Sequence, residues 1–129
     1  MDNKEHIQYW LNSAEHDLDS ADALFSAGKY DWCLFLGHLV VGKALKAKCV
    51  SVNDEFPPKS HNLLFLCEKA KIELTDGQKE FLDIVNGFNI DTRYPDYKLT
   101  FYKNCSKEFT LKHFTKIKEI YRWIRSLII

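Results

Sequence analysis

A chain of 129 residues, 46% apolar and 28% charged, has ordinary globular composition at the size of one domain. That excludes a disordered tail and a mini-domain that needs a disulfide or metal to fold. Its 18 basic and 18 acidic residues cancel in sum but not in place. Residues 1–31 carry seven acids (Asp2, Glu5, Glu15, Asp17, Asp19, Asp22, Asp31) against Lys4 and Lys29, whereas residues 103–125 carry seven bases (Lys103, Lys107, Lys112, Lys116, Lys118, Arg122, Arg125) against Glu108 and Glu119. Either the two ends neutralise each other across the fold, or the basic end is a surface for a phosphate-bearing partner.

The first predicted helix runs from about Glu5 to Ala27. Ile7, Trp10, Leu11, Ala14, Leu18, Ala21, Leu24 and Phe25 recur at helical spacing, as an amphipathic helix requires, and Gly28 supplies a left-handed stop. The second runs from about Tyr30 to Val50. From Trp32 to Val41 it is apolar on every side apart from His38, the mark of a central helix or of one shared with a second subunit. Pro57 and Pro58 sit in a polar stretch, 51–60, that reads as a loop. A short third helix covers about Asn62 to Ile72. Thr75-Asp76-Gly77-Gln78 fits a capping box that opens a fourth, with Phe81, Leu82, Ile84, Val85 and Phe88 on its buried side. Residues 91–106 are the least regular. A fifth helix, about Thr110 to Ile128, turns Leu111, Phe114, Ile117, Tyr121, Ile124 and Ile128 inward and Lys112, Lys116, Lys118, Arg122 and Arg125 outward. No segment alternates with period two, so the expected fold class is all-α: a five-helix up-and-down bundle in a single domain spanning 1–129.

Cys33, Cys49, Cys67 and Cys105 are widely spaced with no CxxC pair, which argues against a zinc site; no metal and no cofactor is expected. The N-terminus lacks a basic-then-apolar signal pattern, and the longest apolar run is about half of a membrane span. A cytoplasmic protein without membrane contact is the expectation. The five glycines are isolated, so neither a phosphate-cradling loop nor a dinucleotide fingerprint is present.

Four local motifs together resemble the HEPN domain, a small helical family of prokaryotes. The first helix carries Trp10, Ala14, Asp17-Leu18 and Ala21 ahead of Gly28-x-Tyr30. The second carries Gly42-Lys43-Ala44-Leu45-Lys46-Ala47, where the family has glutamate-lysine-alanine-leucine-lysine-alanine. The third begins His61-Asn62-Leu63, where the family has histidine-aspartate-leucine, and Arg93-Tyr94-Pro95-Asp96 follows the fourth. The resemblance implies a five-helix bundle that forms a homodimer. It also implies either partnership with a small nucleotidyltransferase, as in toxin–antitoxin pairs, or ribonuclease activity built on an arginine and a histidine with four to six residues between them.

The sequence departs from that ribonuclease pattern. Its arginines are Arg93, Arg122 and Arg125; Lys98, Leu99 and Thr100 occupy the positions where a histidine would follow Arg93, and none follows the other two. Lys98 suits a phosphate better than a proton at neutral pH. No residue is therefore assigned a catalytic role. Gly42 replaces the family's glutamate and is expected to permit a close backbone approach.

The expected ligand-binding residues are Arg93, Tyr94, Asp96, Tyr97, Lys98, Lys43 and His61. Arg93 can clamp a phosphate in bidentate fashion and tyrosines can stack on a base, while Asp96 can instead pair with Arg93 and fix the loop. Lys43 either holds a phosphate or pairs with a carboxylate. His61 caps or orients the third helix, or moves a proton. His38, inside an apolar helix, is expected to be a hydrogen-bonded core residue. The function expected is a non-catalytic binding and dimerising module for a nucleotide, RNA or a nucleotidyltransferase partner. The alternatives are a metal-independent ribonuclease toxin with an atypical site and an interaction scaffold without a small ligand.

Overall fold

Four of the helix starts are set by short polar side chains that satisfy first-turn N–H groups. Asp2 accepts from Glu5 N, Asn62 from Leu64 N and Phe65 N, and Ser106 from Phe109 N. The capping box at Thr75 is complete: Gln78 N donates to Thr75 Oγ1 at 3.1 Å and Thr75 N to Gln78 Oε1 at 2.9 Å. The computed structural model, which describes residues 2–97 and 99–128, thus contains α1 (Asn3–Ser26), α2 (Tyr30–Asn53), α3 (Leu63–Lys69), α4 (Asp76–Arg93), α5 (Thr100–Asn104) and α6 (Lys107–Ser126). No strand occurs among the described residues.

Five of these helices answer to the five expected, and α5 is additional. It forms one turn inside the stretch expected to be irregular because the Asp96 carboxylate accepts from both the N–H and the hydroxyl of Thr100, at 2.9 and 2.8 Å. Gly28, at φ +76°, closes α1 in the left-handed conformation that glycine adopts without strain. Asn3 then ties the start of α1 to the end of α2, donating to Asp54 Oδ1 and Val50 O at 2.6 and 3.2 Å.

α2 is the centre of the packing. α1, α3, α4, α5 and α6 all contact it, and Leu34, Val40, Val41, Leu45 and Val50 are fully covered along its length. Its first half is nevertheless not buried all round. Cys33, Leu34, Gly37, His38, Val40 and Val41 face inward, whereas Trp32 is 46% exposed and Phe35, Leu36 and Leu39 are half-buried.

The close approach expected at Gly42 occurs instead at Gly37. A Cβ there would stand 2.9 Å from Ile117 Cδ1 on α6, whereas at Gly42 it would meet Leu63 Cδ2 at an ordinary 3.6 Å. Ile117 is fully buried and has little room to withdraw. Gly37→Val is therefore expected to cost about 1–3 kcal/mol through overpacking, while Gly42→Ala is neutral or stabilises by up to about 1 kcal/mol through reduced backbone freedom. Urea denaturation midpoints of the two variants check this; equal destabilisation by both would contradict it.

Candidate functional site

The opposed charges of the two chain ends meet at two points. Lys118 Nζ lies 3.2 Å from Asp22 Oδ1, and Arg125 Nη1 lies 3.4 Å from Glu15 Oε1, beside a Tyr121 hydroxyl that donates to the same carboxylate at 2.7 Å. Lys43 is likewise engaged: its ammonium sits 2.7 Å from Asp17 Oδ2 and donates to Ser13 Oγ at 2.8 Å, so it holds α1 against α2. Of the two roles open to Lys43, carboxylate pairing is the one observed.

Arg93 is different. It ends α4, is exposed, and has no carboxylate within 4 Å among the described residues. Its Nε donates to Asn89 O at 3.4 Å, and its guanidinium lies over the Tyr94 ring, 5.2 Å from the centroid. Tyr94 is 70% and Tyr97 91% exposed. Asp96 does not pair with Arg93; its carboxylate anchors α5 through Thr100. Lys98 lies outside the described residues. Tyr94 and Asp96 also border a shallow depression of about 290 Å³ with Asp91, Thr100, Phe101 and Asn104. Its two carboxylates disfavour an anion there, and the positive charge lies on the Arg93 side of the loop.

On that side the fold adds residues from elsewhere in the chain. His61 is exposed just before α3. Partial burial lowers its pKa, and the charges of Lys46 and Arg93 lower it further, which places both cations within electrostatic reach. Lys46, on α2, lies over the Trp10 ring at 5.1 Å from the centroid; burial, then the Lys43 charge, lowers its own pKa. The His61 side chain does not cap α3, a role taken by Asn62. His61 contributes its carbonyl, which accepts from His38 Nε2 at 2.7 Å.

His38 is 1% exposed and its partner Asn89 3%. Because a carbonyl only accepts, Nε2 carries the proton, and Nδ1 accepts from the Asn89 amide at 3.3 Å. Burial is the main force that lowers the His38 pKa to about 4, with the charges of His61 and Arg93 acting in the same direction. No sequence signal indicates that His38, His61, Asn89 and Arg93 meet: they are scattered between positions 38 and 93, and only the packing of α3 and α4 on α2 joins them. Among the described residues no His, Cys, Asp or Glu group has the makings of a metal site. The four cysteines are buried and free, and burial raises their pKa values to about 11 or 12, as structural thiols behave.

The shifted His38 couples stability to pH. The unfolded chain binds this proton near pH 6.5 and the native chain only near 4, so the contribution is intact above about pH 6.5 and lost as pH falls toward 4. The loss is about 3 kcal/mol over that window. Denaturation midpoints measured from pH 7 to pH 4 should fall for the native protein and fall less steeply for His38→Gln. Parallel profiles would contradict the assignment.

A family model described as the HEPN domain matches residues 7–127. Among solved structures, TT1696 from Thermus thermophilus superposes with a TM-score of 0.78 at 19% identity, over 94% of this chain and 97% of that one. ST0689, an archaeal HEPN homologue, superposes with a TM-score of 0.69 at 22% identity, over 96% and 98%. At such identities the likeness speaks for the fold. No curated protein matches the chain, and no described helix is long and apolar enough to cross a membrane.

Proposed function

Because this chain belongs to the HEPN domain family, we propose that it is a non-catalytic binding and dimerising module whose ligand carries phosphate, either a nucleotide or an RNA strand. The observation that carries this reading is the unneutralised Arg93. In a chain of zero net charge, where Lys43, Lys118 and Arg125 are paired with acids of α1, Arg93 faces solvent beside an exposed tyrosine ring and within electrostatic reach of His61. A guanidinium clamps phosphate oxygens, an exposed ring stacks on a base, and Lys46 adds a further positive charge. Tyr97 extends the same loop.

The surface offered to a second copy is the outward strip of α2, formed by Trp32, Phe35, Leu36 and Leu39. Trp32 and Phe35 stack edge to face with centroids 5.6 Å apart, a preformed aromatic anchor of the kind that interfaces favour. A small nucleotidyltransferase is the protein partner proposed for such a dimer, as in a toxin–antitoxin pair.

Labelled single-stranded RNA and ATP, titrated at low salt where phosphate contacts are strongest, should bind the native protein. Arg93→Ala should weaken that binding about ten-fold or more, the scale of one lost charge-assisted hydrogen bond. Light scattering should show a dimer that Trp32→Glu converts to monomer. A native monomer that binds neither probe would refute the proposal.

One observation favours a second reading, metal-independent RNA cleavage. His61, with its lowered pKa, is neutral at pH 7 and stands within electrostatic reach of Arg93, so it can supply the proton acceptor that no residue downstream of Arg93 supplies. Cleavage by purified protein that disappears in both His61→Ala and Arg93→Ala would establish this reading over the first; no cleavage by the native protein would dismiss it.

A further inference from the structure

The three basic side chains of the candidate site are carried by three different segments, and one buried imidazole joins all three. Lys46 lies about two turns beyond His38 on α2 itself. His61 lies in the segment entering α3 and gives its carbonyl to His38 Nε2 at 2.7 Å. Arg93 lies one turn beyond Asn89 on α4, and the Asn89 amide donates to His38 Nδ1 at 3.3 Å. Arg93 in turn donates its Nε to the Asn89 carbonyl at 3.4 Å. The start of α3 has a second tie to α4, since Leu63 N donates to Asn86 Oδ1 at 2.9 Å.

A polar pair this deeply buried gains little stability over apolar side chains of the same shape. It adds direction instead: two hydrogen bonds at opposite corners of one rigid ring set both the spacing and the angle between the segments they join. An aliphatic side chain would fill the space and let the helices slide.

We infer that His38, acting with Asn89, is a positioning residue for phosphate binding: it holds the last turn of α4 and the segment entering α3 in register on α2, so that Arg93, His61 and Lys46 address one ligand. The inference rests on the reading of Arg93 as a phosphate ligand. His38 itself is buried and touches no ligand; its effect passes through the groups it places.

The test is a double-mutant cycle read by fluorescence anisotropy with a short fluorescein-labelled oligouridine at low salt, well below the unfolding transition. His38→Leu, folded by circular dichroism, should bind about ten-fold more weakly than the native protein. His38→Gln keeps a donor for the His61 carbonyl and should recover part of that loss. In an Arg93→Ala background, His38→Leu should have little further effect, because its influence runs through the absent guanidinium. Asn89→Ala serves in place of His38→Leu if that variant does not fold, with the same expected weakening and the same silence once Arg93 is removed.

Native affinity in a folded His38→Leu or Asn89→Ala variant overturns the inference and leaves the phosphate reading intact. So does a loss that persists undiminished in the Arg93→Ala background, since it would show a general effect on the fold. Failure of the native protein to bind the oligonucleotide overturns the phosphate reading, and this inference with it.

Discussion

The inward face of α2 is the surface on which the molecule is assembled. All five other helices reach it, and its residues from Cys33 to Val50 include many of the positions that lose contact with water entirely. Each large aliphatic side chain buried there contributes about 1.5–3 kcal/mol, so the placement of every other element follows from how it covers α2. Packing of that kind is strong but not directional. Two departures from the aliphatic pattern supply what it lacks: Gly37 lets α6 approach closely, and His38 beside it carries the imidazole that orients α3 and α4.

Charge follows the same division of labour. Asp22 and Glu15 of α1 pair with Lys118 and Arg125 of α6, and Lys43 joins α1 to α2 in the same way. These pairs sit at or near the surface and add little stability individually, yet they remove the cations involved from any role with a ligand. Arg93, Lys46 and the His61 imidazole are among the basic groups that have no acidic partner within 4 Å among the described residues. Those three lie at the junction of α2, α3 and α4, where the exposed ring of Tyr94 stands beside Arg93.

Most of the architecture was legible in the sequence because it is written in local chemistry. Helical periodicity located the five expected helices, the Thr75–Gln78 box marked the start of α4, and Gly28 the end of α1. The stretch 91–106 was harder, because a single turn such as α5 has no period to detect; it depends on one carboxylate, Asp96, reaching Thr100. Gly42 looked like the close approach because it replaces a larger residue in the family pattern, but crowding is decided by the partner helix, and Ile117 faces Gly37. The site was half legible. Arg93 and Tyr94 stand together in sequence and in space, whereas Lys43 was drawn away by Asp17, a residue on another helix. Lys46 went unnoticed because only Trp10 and His61, both remote in sequence, give it a setting. The absence of a histidine after Arg93 was plain from the sequence; the presence of His61 near Arg93 was not, since it depends on how α3 enters the bundle.

The central claim is that these three dispersed basic side chains form one phosphate site. Titration of isotope-labelled protein with ATP, followed by NMR, tests it most directly. The account predicts that the side-chain Nε–H of Arg93 and the resonances of Lys46, His61 and Tyr94 shift together along a single saturable curve, while those of the outer face of α6 stay still. Shifts confined to the α6 lysines, or separate curves for Arg93 and His61, would contradict it.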